Sequence, residues 1–281
     1  MSKALLLRED LAPPEARPTP GGGRTDDPNF MTSIARGLSV IRAFTAQKPN
    51  LTIAEVAKIS GLPRAAARRC LYTLEQLGYA GADGRGFFLR PKILALGYAF
   101  LSSATLPQAI QPALEEVSAA LQESASAAVL EEGDVVYIAR AATRRIMSVD
   151  LGVGSRLPAY CTSLGRILLA HLPAGEFEAY LEQVELKPLT ERTVTQRKAL
   201  RRAVAQARDS GYSVVNQELE IGLVSVAVPV KNMVGHVVAA MNVSIQASRV
   251  RPGDIENRYL PVLQAAAREA GLCIATGQTK G

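Results

Sequence analysis

At 281 residues, with 48% hydrophobic and 21% charged side chains, the chain is long enough for two domains, each with its own core. No apolar run approaches the roughly eighteen residues of a membrane span, and the early "ALLL" runs straight into "RED", too short and too soon charged for a secretory leader. Three scattered cysteines (Cys70, Cys161, Cys273) and two histidines fit neither a disulfide framework nor a metal site, so a reducing cytoplasm is expected, with no metal, no cofactor and no membrane.

The net charge of +6 is concentrated: residues 29–91 hold nine Lys/Arg against three Asp/Glu, residues 1–28 four against five, and residues 92–281 nineteen against eighteen. A positive field confined to one small segment attracts phosphate polymers, whereas the same charge spread evenly would mainly aid solubility.

Residues 1–28, with "LAPPEARPTPGGGRTDDP", are rich in Pro, Gly and charge and poor in large apolar side chains, which predicts a disordered tail. Ile34, Leu38, Ile41 and Phe44 then recur at helical spacing, predicting a first helix that ends near Gln47, before "KPN". A second helix opens at Thr52, where "TIAE" has capping-box form, with Glu55 three residues on, and runs to about Ile59. Ala57 is small where another helix must cross, Gly61 permits a left-handed turn, and Pro63 stands where a helix begins without needing its N–H.

The helix after Pro63 buries Ala67, Leu71 and Leu74 and turns Arg64, Ala65, Arg68 and Tyr72 outward, with Arg69 beside them. Helix, glycine turn and basic helix is the helix-turn-helix pattern, whose second helix enters the major groove of duplex DNA. Its alanines let the backbone approach, and its arginines supply forked donors for guanine or phosphate. "LGYAGADGRGFFLRP" reads as a hairpin with Arg85 at its tip, a wing whose single arginine suits the negative potential along the duplex backbone or minor groove. Residues 29–91 thus form a winged helix-turn-helix domain.

Residues 92–106, with "KILALGYAFLSS", read as an apolar linker helix that buries itself in a dimer, since groove-reading helices need a twofold partner. From 107 to 275, helix and strand signals alternate. "LPQAIQPALEEVSAALQES", "TSLGRILLAHL", "EFEAYLEQV", "QRKALRRAVAQARDSGY" and "GDIENRYLPVLQAAAREAGLCI" are helical. "SAAVLEE", "VVYIARAA", "RIMSVDL", "SVVNQE", "LVSVAVPVK" and "HVVAAMNVSI" are strands, the last two turning at "NMVG". The fold class is α+β, with helices beside a mainly antiparallel sheet, and residues 276–281 are a tail.

This half has no GxGxxG, Walker loop or HExxH. Cys161 and His171 stand ten residues apart around one helix with no acid to orient the imidazole, so no catalytic residue and no enzymatic role is expected. Small polar groups among apolar strands, Ser163 at a helix start, Asn216, Ser225, Asn242 and Ser244, suit a small carboxylate.

On these residues the chain resembles the IclR-type transcriptional regulators, and within them the PcaR, PcaU and PobR group that controls protocatechuate, 4-hydroxybenzoate and β-ketoadipate catabolism. The likeness runs over roughly residues 30–273, through "MTSIARGLSVIRAF", "LPRAAARRCLYTLEQLGYA", "YIARAAT", "SVDLGVGSRLPAYCTSLGRILLA", "ELEIGLVSVAVPV" and "AMNVS". It implies a winged helix-turn-helix, a GAF-like effector-binding domain, a homodimer or homotetramer, and promoter DNA and a small carboxylic acid as partners. Carried onto this chain, DNA contacts fall at Thr52, Arg64, Ala65, Arg68, Arg69 and Arg85. Effector contacts fall at Ser163, Leu164, Asn216, Ser225, Asn242 and Ser244, with Tyr160 and Cys161 beside them. The chain departs from glyoxylate- and pyruvate-responsive relatives near Asn216 and at Ser225, which speaks against a very small oxo-acid. The competing readings are an IclR-type regulator of another carboxylic-acid pathway and an architectural DNA-binding protein without an effector.

Overall fold

The computed structural model describes residues 27, 29–45, 47–97, 105–143 and 151–274. They belong to two compact units, Met1–Ser103 and Ala104–Gly281.

The first unit packs three helices, α1 (Thr32–Arg42), α2 (Ile53–Ser60) and α3 (Arg64–Gln76), around Val40, Val56, Ala67 and Leu71, all fully buried. The capping box forms as the spacing requires: Thr52 Oγ1 accepts from the Glu55 N–H at 3.3 Å, and Glu55 Oε2 accepts from the Thr52 N–H at 2.8 Å. Gly61 closes α2 in the left-handed conformation at φ 67°. Strands β1 (Asn50–Leu51), β2 (Ala80–Ala82) and β3 (Phe87–Leu89) form a three-stranded antiparallel sheet in the order β1-β3-β2. β1 is not predicted from the sequence: a two-residue strand has no period to detect, and only its pairing with Phe87 and Phe88 defines it.

The first helix needs correction. It ends at Arg42, not near Gln47, and Ile34 and Leu38 are 54% and 51% exposed. Val40 and Ala43 enter the core and Ile41 and Phe44 of the expected stripe pack against it, while the upstream part of that stripe faces outward. Of the expected linker helix at 92–106, residues 98–104 lie outside the described residues; Pro91–Ile93 form a 3-10 turn, residues 94–97 follow it as helix, and Thr105 already opens the next helix.

Among the described residues, the second unit carries a six-stranded sheet, antiparallel at every junction, in the order β6-β5-β4-β9-β8-β7. The strands are β4 (Ser124–Glu131), β5 (Asp134–Ala141), β6 (Arg156–Pro158), β7 (Ser213–Asn216), β8 (Leu223–Lys231) and β9 (Val237–Gln246). β4 and β5 turn at Glu132 and Gly133, both at positive φ, as a two-residue hairpin of right-handed twist demands. The helices are α4 (Thr105–Leu121), α5 (Ser163–Ala170), α6 (Ala174–Gln183), α7 (Arg197–Ser210) and α8 (Leu260–Leu272), the last preceded by a π turn at Ile255–Tyr259. The expected strand "RIMSVDL" lies outside the described residues except Leu151, which is not in a strand.

One sheet face is apolar and holds the main core. Val226, Val228 and Val230 of β8 and Ala239, Met241, Val243 and Ile245 of β9 pack there against Ile110 and Leu114 of α4 and Leu263 and Ala267 of α8. By the two-residue period of a strand, the intervening side chains belong to the other face, where α5 packs on β4, β7, β8 and β9.

Candidate functional site

The first unit presents its positive charge on a pre-set surface. Ala67, Leu71 and Leu74 anchor α3 in the core, which leaves Arg64, Ala65, Arg68, Arg69 and Tyr72 exposed. Arg64, Arg68 and Tyr72 follow at intervals of four and line one ridge, while Arg69 lies about 100° round the helix from Arg68. Thr52 is exposed too, but its hydroxyl donates to Glu55 Oε2 at 2.7 Å, so the structure gives it a capping role. Thr52 hydrogen bonds hold the Glu55 carboxyl below its ordinary pKa of 4.5. Arg85 is exposed at the hairpin tip, between Gly84 at φ 81° and Gly86.

In the second unit, pairing registers bring polar side chains into rows on the α5 face. Ser126 of β4 pairs with Asn242 of β9, which pairs with Ala227 of β8; one step along, Ser124 pairs with Ser244, which pairs with Ser225. Leu164 is fully buried in α5, and Thr162 caps that helix, its Oγ1 accepting from the Gly165 N–H at 3.1 Å. Gly165 is required there, because a Cβ would strike the Ala159 carbonyl and Cα. Ser163 is 0% and Asn242 3% exposed, yet Ser163 Oγ and Asn242 Oδ1 have no hydrogen-bond partner among the described residues. Buried polar atoms are normally paired, and these two lie on elements that pack against each other.

Asn216 does not join them. It is exposed, pairs with Val224 and so faces away from Ser225; Val215, which pairs with Ser225 and is buried, takes the inward position. The strand's two-residue period decides this, and a one-residue error in placing it reverses the assignment. Sequence reasoning also missed Arg140 of β5, which pairs with Ser126 and lies in the same row as Asn242. A register shift between Ala127 and Ala128 lets Ile138 and Ala139 both enter the core, and this bulge returns Tyr137 and Arg140 to the α5 face. The alternation in "VVYIARAA" carries no sign of it.

A second missed residue is Arg166. Its Nη2 lies 2.6 Å from Glu218 Oε2, in a pair only 6% and 9% exposed, and its Nε donates to the Tyr160 carbonyl at 3.2 Å. Glu218 Oε2 also accepts from the Val194 N–H at 3.0 Å, and the Glu218 carbonyl accepts from Thr193 Oγ1 at 2.7 Å. The pair ties α5 to the segment between β7 and β8 in a setting where each charge depends on the other.

Tyr160 and Cys161 are buried beside the α5 start. Tyr160 donates its hydroxyl to the Lys187 carbonyl at 2.9 Å, and Cys161 Sγ lies 3.7 Å from the Pro158 carbonyl. Burial pushes the Cys161 thiol up to about 12, which keeps it neutral and a poor nucleophile. His171 turns Nδ1 to the Ile167 carbonyl at 2.8 Å, and burial lowers its pKa. Among the described residues, no group of three or more His, Cys, Asp or Glu is arranged to hold a metal, and no helix is long and apolar enough to cross a membrane.

Two family models match the chain: the IclR helix-turn-helix domain over residues 33–84 and the bacterial transcriptional regulator IclR C-terminal domain over residues 98–271. The Pca regulon regulatory protein of Pseudomonas putida is 47% identical over 284 residues, covering 96% of this chain and 98% of that protein. A crystal structure from Rhodococcus sp. RHA1, 44% identical, superposes with a TM-score of 0.78 over 88% of this chain and 99% of that one. An IclR homolog complexed with 4-hydroxybenzoate, from Microbacterium hydrocarbonoxydans, is 26% identical and gives a TM-score of 0.72 over 85% of this chain and 97% of that one.

Proposed function

The chain belongs to the IclR family of bacterial transcriptional regulators, and we propose that it controls aromatic-acid catabolism in the β-ketoadipate pathway by binding promoter DNA in response to a small carboxylic acid. In this reading Arg64, Ala65, Arg68 and Arg69 enter the major groove and Arg85 follows the backbone or minor groove. Thr52 supports them by fixing the start of α2. The protein acts in the cytoplasm as a homodimer or homotetramer, because two α3 helices must reach half-sites about 34 Å apart. The exposed Met31, Ile34 and Leu38 of the first unit offer apolar surface for such an assembly.

The observation that carries the effector reading is the row of Arg140, Ser126 and Asn242 under α5, with Ser163 Oγ and Asn242 Oδ1 unpaired. Arg140 would take the carboxylate, Ser163, Asn242, Ser225 and Ser244 the remaining polar groups, and Leu164 and Val215 the apolar body. A ring such as that of 4-hydroxybenzoate or protocatechuate, or an extended acid such as β-ketoadipate, has this mixture of surfaces. Effector binding shifts promoter occupancy only through its differential affinity for two states of the protein; a coupling of about 1–3 kcal/mol changes DNA binding roughly 5- to 150-fold.

The test is thermal denaturation of the purified protein with each of these three acids. An acid at a hundred times its dissociation constant should add about 2.7 kcal/mol of stability and change retardation of the chain's own upstream promoter fragment. Stabilisation by none of the three would reject the effector class, and no retardation at low ionic strength, with or without acids, would reject promoter binding.

A further inference from the structure

The wing tip is tied to the strand that leads into the capped helix. Asn50 of β1 pairs with Phe88 of β3 and donates from Nδ2 to Asp83 Oδ2 at 2.6 Å. The other oxygen, Asp83 Oδ1, accepts the backbone N–H groups of Arg85 and Gly86 at 3.0 Å each. The Asp83 N–H in turn donates to the Gly86 carbonyl at 3.2 Å. A Cβ on Gly86 would collide with Asn50 Oδ1 and the Leu51 backbone, so the tip can lie this close to β1 only with glycine there.

Asp83, Arg85 and Asn50 are all exposed, so this network contributes little to the core. A carboxylate two residues from a cation that meets phosphate is an electrostatic cost for DNA binding. Here the carboxylate instead orders the backbone on which the cation stands. Thr52, two residues beyond Asn50, caps α2, and α2 packs on α3, so the chain of contacts runs from the wing tip to the basic helix.

We propose that Asn50 and Asp83 are positioning residues for operator recognition: they hold Arg85 in register with the α3 arginines, so that wing and helix meet the duplex as one rigid surface. An untethered tip with glycines on both sides of Arg85 would have to be ordered on binding, and that entropy would be subtracted from affinity. The proposal rests on the reading of Arg85 as a DNA contact.

The experiment is a double-mutant cycle on the full chain, with operator affinity read by fluorescence anisotropy at one salt concentration and thermal midpoints measured in parallel. Asn50→Ala and Asp83→Ala should each weaken binding about five- to tenfold with little change in midpoint, and should have less than about a twofold effect once Arg85 is alanine. Asp83→Asn keeps one acceptor for the two N–H groups but places an NH2 opposite Asn50, so it should recover part of the affinity, and most of it only where the Asn50 amide turns its oxygen toward that NH2. Losses that persist undiminished in the Arg85→Ala background would overturn the positioning role, as would wild-type affinity in both alanine variants. Wild-type affinity in Arg85→Ala would instead reject the wing contact on which the proposal stands.

Discussion

The two units place their chemistry in opposite physical settings. In the first, candidate side chains are mostly exposed charges mounted on a backbone whose α2 start and wing tip are held by local hydrogen bonds. In the second, Tyr160, Cys161, Ser163, Leu164, Ser225 and Asn242 are buried, with Ser244 and Arg140 partly so, two of their polar atoms are unpaired, and the neighbouring ion pair is almost free of solvent. A site of the first kind can change its ligand preference without endangering the fold. One of the second kind binds selectively because it holds polar groups out of water, and it is therefore built against stability.

The widest separation between the two settings is expected at the buried pair. Glu218→Ala leaves the Arg166 guanidinium without its carboxylate and should cost about 3–5 kcal/mol, measured by urea denaturation. Replacing both partners, Arg166→Met with Glu218→Leu, should cost far less, because no charge then remains buried. A loss below about 1 kcal/mol from Glu218→Ala would mean that solvent reaches Arg166, and the contrast drawn above would fail. In the first unit, Arg68→Ala should leave stability within about 0.5 kcal/mol of the parent while costing about 1–3 kcal/mol of operator affinity and relaxing one base preference. Arg69→Ala, if Arg69 meets phosphate, should mainly lower the salt slope by about one. Equal, sequence-independent losses from both would remove the base-reading role of Arg68.

The same contrast explains what could be read from the sequence. The first unit is written in local signals: Thr52 and Glu55 three apart, Gly61 before Pro63, and Ala67, Leu71 and Leu74 at helical spacing each have a mechanism within a few residues. Its failures occur where partners are distant, as with β1, which exists through Phe87 and Phe88, and α1, whose exposed residues depend on how far the other helices extend. In the second unit most elements were legible, from the helix opening at Thr162 to the hairpin turn near Asn232, but β6 (Arg156–Pro158) was missed, a three-residue strand defined by its pairing with β5. The site was less so. Ser163, Ser225, Asn242 and Ser244 carry polarity visible in an apolar run, but which face a strand residue occupies depends on register. Asn216 is displaced by Val215, and a bulge restores Arg140. Arg166 and Glu218 are 52 residues apart, and composition alone cannot pair them.

Asn242→Leu sharpens the comparison at intermediate scale. Removing a buried acceptor that has no partner and substituting an apolar group of similar size should raise the stability of the effector-free protein by about 1 kcal/mol. The variant should also lose its thermal response to 4-hydroxybenzoate or protocatechuate while still retarding the promoter fragment. A variant less stable than the parent would show that the amide is satisfied, for example by water, and an unchanged effector response would move the site elsewhere.

The smallest expected effect is a difference in the sign of pH dependence. In the second unit, burial raises the Glu220 carboxyl above its ordinary 4.5, and Glu220 Oε2 has no hydrogen-bond partner among the described residues. The folded state then holds the proton more tightly than the unfolded chain, so this residue lowers stability progressively as pH rises from 4.5 through the raised value. In the first unit, the Arg85 and Gly86 N–H groups hold Asp83 below its ordinary 3.8, so its contribution is complete above 3.8 and disappears as pH falls through the lowered value. Glu220→Gln should therefore make the second unit's stability flatter on the neutral side of 4.5, and Asp83→Asn should flatten the first unit's below 3.8. Residue-resolved hydrogen exchange across the acidic range separates the two, because each unit reports its own opening. If Glu220→Gln steepened the loss of stability with rising pH, the Glu220 carboxyl would have to be stabilised as an anion, by a cation or donor brought close in solution.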